Sequence, residues 1–254
     1  MGDHDSAAVN YASYLKIDEL LACQAPRSDE HDELLFIVIH QVYELWFKQL
    51  LHELGRLRSV LSHGDTAATM ACLGRVLAIL KTVVAQIDVL ETLTPRGFLS
   101  FRDRLDSASG FQSAQFRQIE AVLGRRDPAM LGPYAEDSPE RARIAAAMAA
   151  PDVLDALLAY LASRGWGAAD RHDDEALETL LVDVHRTDSE ATMVCEKLVD
   201  LDEGIQEWRY RHVKMVERTI GGRRGTGGSA GAAYLRSTLF KPVFPALWAI
   251  RTRL

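Results

Sequence analysis

Residues 34–61 read LLFIVIHQVYELWFKQLLHELGRLRSVL. Taken alone, Phe36–Ile39 has the look of a buried strand. The longer pattern argues against it: Phe36, His40, Tyr43, Phe47, Leu50 and Leu54 recur at spacings of three and four, the signature of one apolar helix face. The preceding SDEHDE is a capping-type cluster whose acids suit a helix N-terminus. His63-Gly64-Asp65 closes the helix, and Thr66–Leu93 repeats the periodicity through Met70, Leu73, Leu77, Leu80, Val84 and Ile87.

Outward from this pair, helical signals continue. Thr94-Pro95 resembles an N-cap followed by proline at the first helical position. A short helix is predicted over Phe98–Leu105, a loop over Asp106–Gly110 and a helix over Ser113–Leu123. Ser138-Pro139 opens another, and Asp152–Ala162 is one more. Arg164–Asp174 reads as an exposed loop, Asp174–Ile220 as one or two helices, and Phe240–Arg251 as a final short helix with Pro242 and Pro245 near its start. No internal repeat or hairpin signal stands out, so the reading is all-α, a helical bundle formed by a single domain over residues 1–254.

Composition narrows the function classes. A chain of 254 residues with 48% hydrophobic and 26% charged residues is ordinary for a globular protein. A formal charge of −7 argues against nucleic acid as partner. Cys23, Cys72 and Cys195 are dispersed, which suits a reducing compartment rather than a disulfide framework. The longest apolar run, Leu34–Ile39, falls far short of the roughly 18 residues of a membrane span. The acidic start MGDHDSAAVN lacks the apolar core of a signal peptide. The expectation is a cytoplasmic protein with no membrane partner.

The segment Ile220–Gly231, IGGRRGTGGSAG, invites a phosphate-loop reading. Gly222, Gly227, Gly228 and Ser229 nearly fit the spacing, but the lysine is missing and the loop leaves a helix rather than a strand. Either Gly221 caps the helix ahead of a flexible linker, or the glycines let the backbone approach a ligand and move as a lid, with Thr226 and Ser229 supplying hydroxyl contacts.

Two histidines lie on apolar helix faces. His212 sits within the stripe Ile205, Trp208, Met215 or Val216, and Thr219; His40 lies between Phe36 and Tyr43. Each is either a core histidine with its hydrogen bond satisfied or a metal ligand. Zinc wants three protein ligands, and no HExxH or paired-His spacing exists; haem needs one or two axial ligands and apolar walls, and fits better. Arg102 follows Phe98 and Phe101: it either grips a carboxylate bidentately or pairs at the surface with Asp103 or Asp106.

The blocks YASYLKIDELL (residues 11–21), DELLFIVIHQVYELWFKQLLHEL (32–54), ETLTPRGFLSFRDRLDSASGFQSAQFRQIE (91–120), WRYRHVKMVERTIGGRRGTGGSAG (208–231) and FPALWAIR (244–251) together resemble the tryptophan 2,3-dioxygenase family. The resemblance runs in one order from Tyr11 to Arg251, and is poor over Arg164–Leu201. It implies an all-helical homotetramer with b-type haem, ferrous when active, and His212 as axial ligand. It implies insertion of both atoms of O2 across the indole C2–C3 bond of L-tryptophan, giving N-formylkynurenine, the first step of the kynurenine pathway. Phe36, Ile37, Val38, Ile39 and His40 would line the pocket, with Phe36 on the indole and His40 near its N–H. Arg102 would hold the substrate carboxylate, and Thr226 its ammonium and carboxylate end. Tyr11 and Tyr14 would arrive from a neighbouring subunit, and Ser109 and Gly110 would lie at the haem edge. Phe98 stands where some members carry tyrosine, so one hydroxyl contact is lost. Two other readings share these residues: a haem monooxygenase inserting one oxygen atom into a tryptophan derivative, and a haem-binding sensor.

Overall fold

In the computed structural model, residues 9–106, 108–226 and 231–254 are described. Met1–Ala8 and the Gly227-Gly228-Ser229 segment of the glycine loop lie outside them. Two short helices, α1 (Tyr11–Leu15) and α2 (Ile17–Leu21), precede the long α3 (His31–Ser62) and α4 (Thr66–Leu90). Then follow α5 (Pro95–Phe101), α6 (Ala114–Val122), α7 (Pro139–Ala149), α8 (Val153–Ser163), α9 (Asp174–Thr187), the long α10 (Ser189–Ile220), α11 (Ala232–Arg236) and α12 (Pro245–Ala249). Short 3₁₀ turns occupy Arg102–Arg104, Gly110–Gln112, Pro128–Leu131 and Ile250–Thr252. There is no strand among the described residues, as the all-α reading requires.

The frame is three long helices, with α4 packed against both α3 and α10. Phe47, Leu50, Leu54, Leu57 and Leu61 of α3 are buried against Leu73, Val76, Leu80, Val83 and Ile87 of α4. Val194, Leu198, Leu201 and Ile205 bring the corresponding face of α10. Each such side chain contributes about 1.5–3 kcal/mol by leaving water. Gly204 permits close approach of α10 to α4: a Cβ there would stand 2.6 Å from Leu80 Cδ2. Helix α8 packs on α3, and α6 lies against both α3 and α7.

Local chemistry sets the boundaries. Asp65 caps α4 by accepting from Ala68 N–H, Thr94 caps α5 ahead of Pro95, and Ser138 caps α7 ahead of Pro139. The cap at Thr94 starts α5 three residues before the predicted Phe98, and the chain tightens into a 3₁₀ turn at Arg102. The stretch Asp174–Ile220 is two helices, because Asp188 leaves the helical region and caps α10 through Ala191 N–H. The last predicted helix begins only at Pro245.

Two expectations need correction. The loop between α8 and α9 is not simply exposed. Arg164 makes two bonds to Asp188 (2.7 and 2.8 Å), Trp166 donates to the same carboxylate, and Arg171 reaches Asp152 and Asp155. Long apolar helices are also more numerous than unbroken apolar runs in the sequence suggest. By length and composition, His31–Ser62, Thr66–Leu90 and Pro139–Ser163 (which comprises α7 and α8) are apolar enough to cross a membrane, since single polar residues interrupt the run without lowering its mean hydropathy much. In this fold their apolar sides supply much of the shared core.

Candidate functional site

Between α3, α5, α6 and α10 lies a cavity with aromatic walls, one wall carrying His40 and another His212. Phe36 and His40 are one helical turn apart on α3, ring centroids 4.1 Å apart. Phe98 and Phe101 of α5 each lie 5.7 Å from the Phe36 ring. The His40 Nδ1 is 2.7 Å from the Phe36 carbonyl oxygen. A carbonyl only accepts, so Nδ1 carries the proton and Nε2 presents a lone pair. Nε2 is on the side of Gly110, whose Cβ, were it present, would stand 3.8 Å away. Burial lowers the His40 pKa, against the opposing effects of the Phe36 bond and of Glu44. The ring is neutral at pH 7, an acceptor aimed at the cavity.

Helical geometry sorts the rest of Phe36–His40. Only positions i and i+4 share the cavity face. Ile39 is buried in the core, Val38 is exposed and Ile37 is partly so; none of the three lines the cavity, contrary to expectation.

On α10, His212 stacks on Trp208, one turn back, with centroids 5.0 Å apart and planes 11° apart. Among the described residues neither His212 ring nitrogen has a hydrogen-bond partner. Burial pushes its pKa down to about 4, and the nearby His40 and Arg117 add to the shift. The imidazole is therefore neutral and free to donate a lone pair. Among the described residues no three His, Cys, Asp or Glu side chains converge, so His212 is a solitary donor on an otherwise apolar wall with Trp208, Phe116, Met215 and Val216. That donor chemistry fits a flat macrocyclic cofactor taking one axial imidazole, and does not fit a bare cation.

The glycine loop starts at the C-terminus of α10, and its near half is docked. Gly221 and Gly231 have φ of 59° and 60°, open to glycine at little cost. At Gly231 a Cβ would meet Arg223 O at 2.5 Å, so only glycine lets the two ends of the loop close on each other. Thr226 Oγ1 donates to Ala108 O (2.6 Å), and Arg102 donates through Nη2 to Arg224 O (2.6 Å). The Thr226 hydroxyl thus already has a protein acceptor. Arg102 has no carboxylate partner among the described residues; Asp106 pairs with Arg27 instead, which removes the surface-pair alternative. Arg102, Thr226, Phe98, Ser109 and Gly110 all line the cavity. Tyr11 and Tyr14 do not: both are about three-quarters exposed on α1.

The structure adds a buried charge cluster that the sequence reading missed. Arg117 and Arg209 line the cavity with Glu120, which accepts from Arg117 (2.5 Å), Arg125 (2.7 Å) and Arg209 (3.2 Å). Three guanidinium groups share this one carboxylate, and Glu44 lines the same cavity. The Arg117–Glu120 spacing of three on a helix was the available signal; Arg209 is brought in only by tertiary packing.

The family model described as tryptophan 2,3-dioxygenase matches residues 2–137 and 134–254, including the stretch 164–201 where the resemblance by motif is weakest. A protein of Anaeromyxobacter dehalogenans named tryptophan 2,3-dioxygenase is 64% identical, over 97% of this chain and 96% of its own length. One of the same name from Herpetosiphon aurantiacus is 54% identical, over 98% of this chain and 100% of its own. A third, from Bacillus cereus, is 39% identical over 97% and 93%.

Proposed function

Because this chain belongs to the tryptophan 2,3-dioxygenase family, we propose that its cavity binds L-tryptophan beside a b-type haem and that its product is N-formylkynurenine. The activity itself, dioxygenation of tryptophan in its catabolism, is that of the relatives with which it shares 54–64% identity. The observation that carries the finer reading is the pairing within one cavity of a neutral imidazole, His212, and a guanidinium, Arg102, which among the described residues have no hydrogen-bond partner and no carboxylate partner respectively. A gas sensor has use for the first and none for the second.

His212 would hold the haem iron, with Trp208, Phe116, Met215 and Val216 as apolar walls and Ser109 and Gly110 beside it. The haem supplies the activation of O2 when bound; the protein supplies position and electrostatics. The substrate is a zwitterion with a large flat body. Phe36 would cover the indole, and His40 Nε2 would accept from its N–H, fixing which edge faces the iron. Arg102 would take the carboxylate, and exchanging its bond to Arg224 O for that contact would couple substrate arrival to the loop. Thr226 would serve the polar end in the same way, by turning its hydroxyl from Ala108 O. Buried polar contacts of this kind discriminate among substrates better than an apolar pocket does. Phe98 would contribute ring area only.

The exposed apolar residues of α1 and α2 (Tyr11, Tyr14, Leu15, Leu20 and Leu21) support assembly with other copies, as a homotetramer in which Tyr11 and Tyr14 reach a neighbour's site. Free Cys23, Cys72 and Cys195 suit the cytoplasm. The test is the mass of the product formed by reduced, haem-loaded protein from L-tryptophan in labelled oxygen. Two labelled atoms in N-formylkynurenine are expected; one labelled atom in an oxindole or hydroxylated product would overturn the reading.

A further inference from the structure

We infer that Trp208 is the positioning residue that fixes the plane of the His212 imidazole, and that it does so by ring stacking. The inference rests on the proposal that His212 is the haem ligand. A ligating histidine is ordinarily oriented by its second ring nitrogen, which donates to a carboxylate, a backbone carbonyl or a water. Among the described residues His212 has no such acceptor. Left to itself its ring is free to rock, because the final torsion of histidine is a broad, shallow one.

What restrains it is the indole one turn earlier on α10, 5.0 Å away and within 11° of parallel. The indole is in turn clamped from two other helices. Phe116 of α6 lies 4.5 Å from it at 37°, and Phe47 of α3 lies 6.3 Å from it, edge-on at 82°. A chain of aromatic contacts thus runs from α3 and α6 through Trp208 to His212. The Trp208 Nε1 is buried with no partner among the described residues, a cost that a phenyl ring would avoid. What the indole adds over phenyl is a wider flat face, and that face lies on the imidazole.

The test uses the full-length, haem-loaded protein and compares Trp208→Phe with Trp208→Met and Trp208→Leu. Met fills the space with an unbranched chain and Leu leaves it smaller, so ring loss is read in two packing contexts. The readout is the iron–histidine stretching band of the ferrous, substrate-free protein by resonance Raman, with haem stoichiometry and helix content as controls. Trp208→Phe is expected to stay near the parent band, whereas Met and Leu shift and broaden it and release haem several-fold faster. An unchanged band in Met and Leu would overturn the inference. So would an equal shift in Phe, Met and Leu, since that would make bulk rather than the stacked ring responsible. If the parent itself binds no haem, or shows no iron–histidine band, the ligand assignment of His212 fails, an outcome distinct from failure of the stacking role.

Discussion

Arg102 Nη2 stands 2.6 Å from the carbonyl oxygen of Arg224, so the guanidinium best placed to hold a substrate carboxylate is tied to the loop that borders the same cavity. If Arg102 takes the substrate carboxylate as proposed, occupation of the cavity would be coupled to the arrangement of the loop through this bond. Replacing Arg102 with Ala removes a charge-assisted bond worth about 1.5–3 kcal/mol, so kcat/KM for tryptophan should fall roughly tenfold to a hundredfold with haem content intact. Arg102→Lys should recover little of it, because a point charge cannot reproduce the planar fork. Steady-state kinetics with a Soret titration check both.

Thr226→Ala removes the hydroxyl that docks on Ala108 O. The loss of one neutral hydrogen bond, about 1 kcal/mol, should weaken tryptophan binding about fivefold while leaving the haem spectrum alone. Equilibrium titration of tryptophan against that spectrum reads it directly, and an unchanged affinity would remove Thr226 from the substrate's polar end.

In the proposed function His40 orients the indole N–H, so its substitution should slow turnover without abolishing it. His40→Ala is expected to cost less than the roughly 10²–10⁴-fold attributed to full general acid–base catalysis. The pH profile carries a second signature. Burial lowers the His40 pKa from 6.5, and only the neutral ring can accept from the indole N–H. Activity should therefore hold as pH falls to about 6.5 and decline only below it. That acid limb should be missing from His40→Ala; its survival would assign it to another group.

Asp188 caps α10 and takes two bonds from Arg164, which hold its carboxyl far below the usual carboxylate range. A depressed carboxylate stabilises the fold above its unfolded pKa and loses that contribution as pH drops through the acid range. Asp188→Ala should cost about 2 kcal/mol, roughly half from the cap and half from the partly exposed ion pair. For a chain of this size that is about 4–8 °C in Tm. Asp188→Asn keeps the cap and should cost about half as much. Thermal melts at pH 7 and pH 4 test both; because the folded carboxyl stays ionised at pH 4, the gaps between the parent and the two variants should persist nearly in full there and narrow only in stronger acid.

The long helices were legible because α3, α4 and α10 each repeat the three-and-four spacing over six turns or more, enough to outvote the strand-like FIVI. The short elements were not. Helix α11 and the 3₁₀ turns have too few residues to show a period, and α5 begins at Thr94's cap, earlier than its apolar residues suggest. At the site, His40, His212, Phe36 and Arg102 were visible as chemically odd residues in apolar company, and the structure brings all four to one cavity. Ile37, Val38 and Ile39 share a contiguous motif with Phe36 and His40, but a helix divides such a motif among different faces and only Phe36 and His40 line the cavity. The Arg209–Glu120 pair spans 89 positions, a relation no local pattern encodes.

The two imidazoles ride on different long helices, α3 and α10, and α4 is wedged against both, with Ile87 and Leu90 reaching the cavity. The gap between His40 and His212 is therefore gauged by a spacer that takes no part in the chemistry, as the jaws of a calliper are set by its beam. Loop substitutions can retune what the cavity admits and leave that gauge untouched. A change at Leu80 or Gly204, neither of which lines the cavity, alters the gauge itself. Variation in the loops and constancy of calibre are thus separable, which allows one scaffold to explore new indole substrates while keeping the spacing between its two histidines.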